Sequence, residues 1–366
     1  MAVPVAMSTR RRASRPAQHA RRAARVAGLR HVGDDAPGIV RLGVPGAFCY
    51  RSPRGRPVRD ASTLRRIAQL AIPPAYENVW ICTDPRGHLQ ATGRDARGRK
   101  QYRYHPDWRV TRDTHKFDRL LAFGDALPAI RRRVRRDLAT RGLHRDKVLA
   151  LIVALLDATR LRIGNNAYER DNRSYGLTTL RDRHADFRGG RLRLSFRGKG
   201  GAEHDLVVDD RRLARIVRRC HDLPGQRLFQ FLEPDGTRRP VDSGMVNDYL
   251  REVTGRDFTA KDFRTWGATM GAIARLACLA LPDPPSERAA KACINDVIRE
   301  VAGELRNTPA VCRKSYIDPL VFEGWLEGRL HRRFTCGTTM RPRAVERRAL
   351  AFLRAEARRA EHRNGR

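Results

Sequence analysis

Apolar and polar positions change rhythm along the chain. From about residue 36 to 115 they alternate in short runs broken by glycine, proline and aspartate. There "NVWICTD" (78–84), "HLQATGRD" (88–95) and "RKQYRYH" (99–105) predict a three-stranded meander with short turns. Ahead of it, "STLRRIAQLA" (62–71) has helical spacing, with Ser62 the expected N-cap. From about 116 the spacing turns helical, and "DKVLALIVALLDATRLRIG" (146–164) is so apolar that it predicts a buried core helix. One hairpin interrupts the helices. In "RLRLSFRGKGGAEHDLVV" (191–208) the leucines alternate, and the tip is Gly198-Lys199-Gly200-Gly201. Further helices are expected at about 242–254, 261–280 and 286–304, the last opened by Ser286, and a basic amphipathic helix or tail follows residue 340. There is no internal repeat. The fold class is therefore α+β, with a small β-rich N-terminal domain (36–115) and a larger, mostly α-helical domain (116–340) that carries the hairpin. Basic tails are expected at 1–35 and 341–366.

Composition sharpens this picture mainly through charge. Lys plus Arg is 75 against 40 acids, a formal net charge of +35 over 366 residues. Such an excess attracts polyanions by neutralising phosphates and releasing counterions. An acidic membrane surface is the competing partner, but no apolar run approaches the length needed to span a bilayer. The acid-free N-terminus has too short an apolar stretch for a signal-peptide core and reads as a basic arm, with an import sequence as the alternative. Seven scattered cysteines without a CxxC pair point to a reducing compartment, with no disulfide framework and no zinc site. HExxH, EF-hand and GxxxxGK[ST] motifs are absent, so no metal, ATP or other cofactor is called for. Only Lys100, Lys116, Lys147, Lys199, Lys261, Lys291 and Lys314 are lysine; every other base is arginine. Lysine can give up a proton near neutral pH where arginine cannot, so each retained lysine is a candidate for proton transfer.

Several segments carry candidate chemistry. In "GRDARGRKQYRYH", alternation puts Gln101 and Arg103 on one strand face and Tyr102 and Tyr104 on the other. Bases there suit phosphates, and a glutamine amide can read a base edge. "TRLRIGNNAYERDNRSYGLTTL" (159–180) brings Arg160 and Arg162 out of the most apolar helix, where packing would hold a phosphate clamp in place. The tip "FRGKGG" sets Lys199 among glycines, and "TAKDFRTWGAT" (259–269) puts Lys261 and Arg264 on neighbouring positions of one helix face. In "RNTPAVCRKSYIDP" (306–319), Asn307 precedes Tyr316 by nine residues, and Tyr316 stands in a polar, basic segment.

The ordered series Arg162, Lys199, Lys261 with Arg264, Asn307 and Tyr316 resembles the small type IB DNA topoisomerases of the poxvirus and bacterial kind. The likeness runs from about residue 40 to about 335 and includes all the segments just quoted. The resemblance implies the topoisomerase IB fold, shared with tyrosine recombinases, and relaxation of supercoiled DNA through a 3′-phosphotyrosyl intermediate without ATP or metal. It implies that Arg162, Lys199, Arg264 and Tyr316 match the catalytic arginines, lysine and tyrosine. Asn307 takes a position that is histidine in the poxvirus branch and asparagine in bacterial members. Gln101, Tyr102, Tyr104 and Tyr168 match DNA-contacting positions, and Lys261 can address the same phosphate region as Arg264. Asn165 and Ala167 depart from the poxvirus branch, which has lysines there. The expected partner is double-stranded DNA, clamped by a monomer between two domains, in the cytoplasm with the nucleoid and away from membranes. The alternatives are a tyrosine recombinase, whose second box has histidine where Lys261 stands, and a non-catalytic basic nucleic-acid-binding protein.

Overall fold

The computed structural model describes residues 24–25, 27–96, 98, 100–165, 169, 173–334 and 342–364. In its first part, alternation of side chains builds one antiparallel sheet. Strands β1 (Ile39–Val44) and β2 (Ala47–Arg51) precede helix α1 (Ala61–Gln69), and β3 (Glu77–Ile81), β4 (Leu89–Arg94) and β5 (Lys100–Tyr104) form the expected meander. The strand order is β2-β1-β3-β4-β5. Ile39, Val79, Ile81 and Ala91 cover one face, and Ile67 of α1 packs against them. The N-cap of α1 is Asp60, not Ser62. The Asp60 carboxylate accepts from Thr63 N at 2.7 Å and from the Ser62 hydroxyl at 2.6 Å. The helix starts two residues earlier than expected, and the carboxylate just before it caps a free N–H of the first turn.

The expected 1–35 tail is corrected in its described part. Ala24 and Leu29 are buried with Trp108. The Arg30 N–H donates to Arg86 O at 2.8 Å and the His88 N–H to Arg30 O at 2.7 Å, while His31 stacks on His88 at 4.4 Å. Two apolar side chains and these backbone bonds tie the segment to the sheet.

The chain divides at Phe117 and Asp118 into two units. Helix α2 (Pro106–Ala139) runs through that point. In the second unit the central element is α3 (Arg145–Thr159), where from Lys147 to Leu156 only Ala154 is not buried. A helix apolar on all faces needs neighbours all round, and α4 (Arg211–His221), α5 (Ser243–Thr254) and α6 (Ala260–Leu276) supply them. A three-stranded sheet, β6 (Ala185–Arg188), β7 (Arg191–Arg197) and β8 (Glu203–Val208), contains the expected hairpin plus one further strand; β9 (Gln230–Leu232) pairs with β10 (Arg238–Pro240). Next come α7 (Glu287–Glu304), α8 (Pro309–Ser315) and α9 (Pro319–Leu326). Ser286 does cap α7, accepting from Ala289 N.

Residues 342–364 form helix α10, which joins the helical unit instead of trailing from it. Ala349, Phe352 and Leu353 are buried. Glu356, also buried, accepts from Arg329 Nε at 2.9 Å and Nη2 at 2.6 Å. The apolar stripe in that basic sequence is thus a packing face.

Candidate active site

Helix α3 ends where Arg160 enters the left-handed region at φ 57°. That turn places the Arg160 carbonyl against the Arg264 guanidinium, which donates to it through Nη1. The following residues, as far as Asn165, form no regular element. Arg162 O accepts from Leu177 N at 2.9 Å and Ile163 O from Thr178 N at 2.7 Å, so the backbone leaving the Arg162 side chain is pinned. Gly176 allows this crossing. A Cβ on it would lie 2.5 Å from Gly164 N and 2.7 Å from Arg162 O.

Arg264 stands in α6 with only 3% of its surface exposed. Besides the Arg160 carbonyl, it donates to Leu305 O at 2.9 Å through Nη2. Its guanidinium carbon lies 5.2 Å from the centroid of the Tyr316 ring, and the two side chains share a hydrogen bond. Arg162 donates to the Asn307 Oδ1 and to Arg306 O at 3.4 Å. Burial pulls both guanidiniums below the ordinary arginine pKa; Arg264 adds to the effect on Arg162, and Tyr316 opposes it for both. No carboxylate among the described residues pairs with either. Elsewhere a buried arginine finds acids, as Arg329 does with Glu327 and Glu356. Two further donors, Arg264 Nε and Asn307 Nδ2, are buried with no partner among the described residues. Leaving such a donor unmet costs about 1–3 kcal/mol, a cost that an entering oxyanion would relieve.

Tyr316 caps the C-terminus of the short helix α8. Its carbonyl accepts from Thr269 Oγ1 at 3.1 Å, and the same oxygen accepts from Asp318 N at 3.3 Å. A buried threonine on the Arg264 helix therefore clamps the tyrosine's backbone. Burial raises the Tyr316 phenol pKa, but the charge and hydrogen bond of Arg264, followed by the charges of Lys261 and Arg162, outweigh it, and the pKa is held below its ordinary value. Lys261, on the exposed side of α6, is thus within electrostatic reach of the phenol.

Lys199 sits on the exposed hairpin tip, where Gly200 (φ 73°) and Gly201 (φ 80°) take a backbone that favours glycine. The tip is closed by Gly198 N donating to Ala202 O at 2.7 Å, and strand β7 is tied to the Arg162 crossing by Tyr175 N donating to Arg197 O at 2.9 Å. Behind the tip, His204 is buried, and the positive charges of Arg162, Arg306 and Arg264 reach it. Burial first, then those charges, push its pKa down to about 4.

So the structure brings Arg162, Arg264, Asn307 and Tyr316 together, with Lys261 in electrostatic range. In the other unit, Tyr102 is 47% exposed and stacks on Tyr104 at 6.1 Å, while Gln101 Nε2 donates to Asp95 at 2.9 Å. Tyr104 packs in part on the Ala24, Leu29 and Trp108 cluster. Tyr168 lies outside the described residues. Thr269, Gly176 and His204 were missed. Their parts depend on contacts between distant segments, although Thr269 does stand five residues after Arg264 on the same apolar helix. Among the described residues, no group of three His, Cys, Asp or Glu side chains is arranged to hold a metal, and no helix is long and apolar enough to cross a membrane.

Comparison with known proteins adds to this geometry. The profile of the eukaryotic DNA topoisomerase I catalytic core matches residues 105–320, and that of the bacterial DNA topoisomerase IB N-terminal domain matches residues 47–95. The DNA topoisomerase 1B of Acanthamoeba polyphaga mimivirus is 33% identical over 259 residues, 69% of this chain and 77% of that protein. The DNA topoisomerase 1B of Vaccinia virus (strain Copenhagen) is 22% identical over 255 residues, 68% and 75% of the two chains. A DNA topoisomerase 1 of Mycosarcoma maydis is 26% identical over 182 residues, 45% of this chain but 18% of its own length.

Proposed function

The chain belongs to the type IB DNA topoisomerases, and from that premise we propose that it relaxes supercoiled duplex DNA by cutting and resealing one strand through Tyr316, without ATP or metal. The observation that carries this is the pair of guanidiniums, Arg162 and Arg264, gathered with no carboxylate among the described residues around a phenol whose pKa they lower. An anion is the partner such a site lacks, and a scissile phosphodiester supplies one.

In the cutting step the deprotonated Tyr316 oxygen attacks phosphorus. A phosphorus–oxygen bond to tyrosine forms, and the bond to the 5′ oxygen breaks. Negative charge builds on the non-bridging oxygens, where Arg162 and Arg264 donate with planar forks and Asn307 Nδ2 adds a neutral donor. Lys199 gives the departing 5′ oxygen its proton, a task open to lysine and closed to arginine. The 3′-phosphotyrosyl bond keeps the energy of the broken one, and the reverse step reseals the strand with Lys199 taking the proton back. Arginine side chains supply the charge that the phosphoryl group needs. Rotation about the uncut strand dissipates either sign of supercoil.

On this account the β-rich unit contacts DNA through Gln101, Tyr102 and Tyr104, with Tyr168 and Lys261 doing so from the helical region. A single copy engages the duplex with both units, in the cytoplasm with the nucleoid. Family membership favours this over the recombinase and non-catalytic alternatives. The test is plasmid relaxation in EDTA without ATP. Loss of both positive and negative supercoils is expected, and strict dependence on ATP or magnesium would overturn the proposal.

A further inference from the structure

Lys199 and Arg162 come from separate stretches of chain, and a column of rings connects them. Tyr175, beside the Gly176 crossing, lies 4.5 Å from His184; His184 lies 6.3 Å from Phe196. Phe196 stacks on its cross-strand partner His204 at 4.7 Å with an interplanar angle of 8°. The column ends against the tip. A Cβ on Gly198 would come within 2.7 Å of His204 Cδ2 and Nε2, so the glycine backbone rests on the imidazole edge. Gly198 is the residue before Lys199.

We propose that His204 is a positioning residue for strand cleavage, its ring forming the wall that sets the Lys199 tip against the site of Arg162 and Arg264. The inference rests on the assignment of Lys199 as the acid. The charges of Arg162, Arg306 and Arg264 converge on His204, so an imidazolium there would be repelled and a neutral ring is the form that fits. The neighbouring tip residues Gly200 and Gly201 give the loop little stiffness of its own. Without the ring, Gly198 loses its wall and Lys199 its place. A misplacement of about 1 Å in such a group costs on the order of 10²-fold in rate.

A positioning role through Lys199 has a signature that general damage lacks. Single-turnover cleavage would be measured on duplexes with the natural bridging 5′ oxygen and with sulfur in its place, since a thiolate leaves without a proton. His204→Ala should slow cleavage of the oxygen substrate by roughly 10- to 100-fold and cut the sulfur substrate nearly as fast as wild type. Lys199→Ala should behave likewise, and Arg162→Ala should stay slow on both. Gly198→Ala is the second variant. Its φ of −96° suits alanine, so a defect there reports the ring contact, and the same sulfur rescue is expected. If Lys199→Ala is rescued while both other variants are equally slow on the two substrates, or both match wild type on oxygen, the inference is wrong. If Lys199→Ala itself is not rescued, the acid assignment fails and the inference falls with it.

Discussion

Burial alone would push the Tyr316 phenol up; Arg264 against its ring, with Lys261 and Arg162 in range, reverses the sign. The phenolate should therefore form below the ordinary tyrosine pKa of about 10. Single-turnover cleavage should rise with pH to a midpoint under that value. Arg264→Ala removes the largest lowering influence and leaves the burial, so its midpoint should move upward; an unmoved midpoint would mean that Arg264 does not tune the nucleophile. Lys199→Ala should slow cleavage by roughly the 10²–10⁴-fold typical of a lost general acid. Lys199→Arg should fail to restore the rate, because arginine keeps its proton; full recovery would reduce Lys199 to an electrostatic contact. Arg162, Arg264, Asn307 and Tyr316 were legible in the sequence as an ordered set with recognisable neighbours. Thr269 and His204 were not. A threonine that clamps a backbone 47 residues away, or a histidine that walls a turn, looks like any core residue until the chain is folded.

At the level of elements, glycines and caps decide how site residues are aimed. The backbone of Gly176, at φ −152°, would suit any residue, and only the crossing with Gly164 demands glycine. Gly176→Ala should shift the Arg162 segment, lowering the cleavage rate by an order of magnitude or more while nonspecific duplex binding persists. Wild-type cleavage in that variant would show that the crossing has room to give. The C-terminal helix α10 carries a second prediction. Glu356→Ala leaves the buried Arg329 with only the exposed Glu327 as a carboxylate partner and should destabilise the helical unit by up to about 3–5 kcal/mol in chemical denaturation. An unchanged midpoint would mean that α10 is dispensable. Strand and helix types were largely legible, because alternation and all-round hydrophobicity are strong local signals. Ends were less so. The cap of α1 depended on whether Asp60 or Ser62 reached the free N–H, and α10 could be told from a tail only by what its apolar stripe covers.

For the whole molecule, charge governs encounter and buried histidines shape the response to acid. Residues 1–22 hold six arginines and no acid. Deleting them should flatten the log–log salt dependence of DNA binding by a slope of up to about 5 and leave cleavage at saturating DNA intact. Loss of cleavage would give that segment a part in the chemistry. His88, His184 and His204 each have pKa values lowered, chiefly by burial, from about 6.5 to about 4. Between those values the unfolded chain binds protons that the folded one refuses, so stability should be full above about 6.5 and decline as pH falls towards 4. A melting temperature that stays flat across that window would contradict this. The central claim, that Tyr316 becomes joined to a DNA 3′ end, is tested most directly by quenching a reaction on end-labelled duplex with denaturant and looking for label held covalently by the protein. Wild type should trap label on the strand 5′ to the cut, linked through Tyr316, in EDTA without ATP, and Tyr316→Phe should trap none. An adduct that persists in Tyr316→Phe, or relaxation by wild type with no adduct at any time point, would contradict the account.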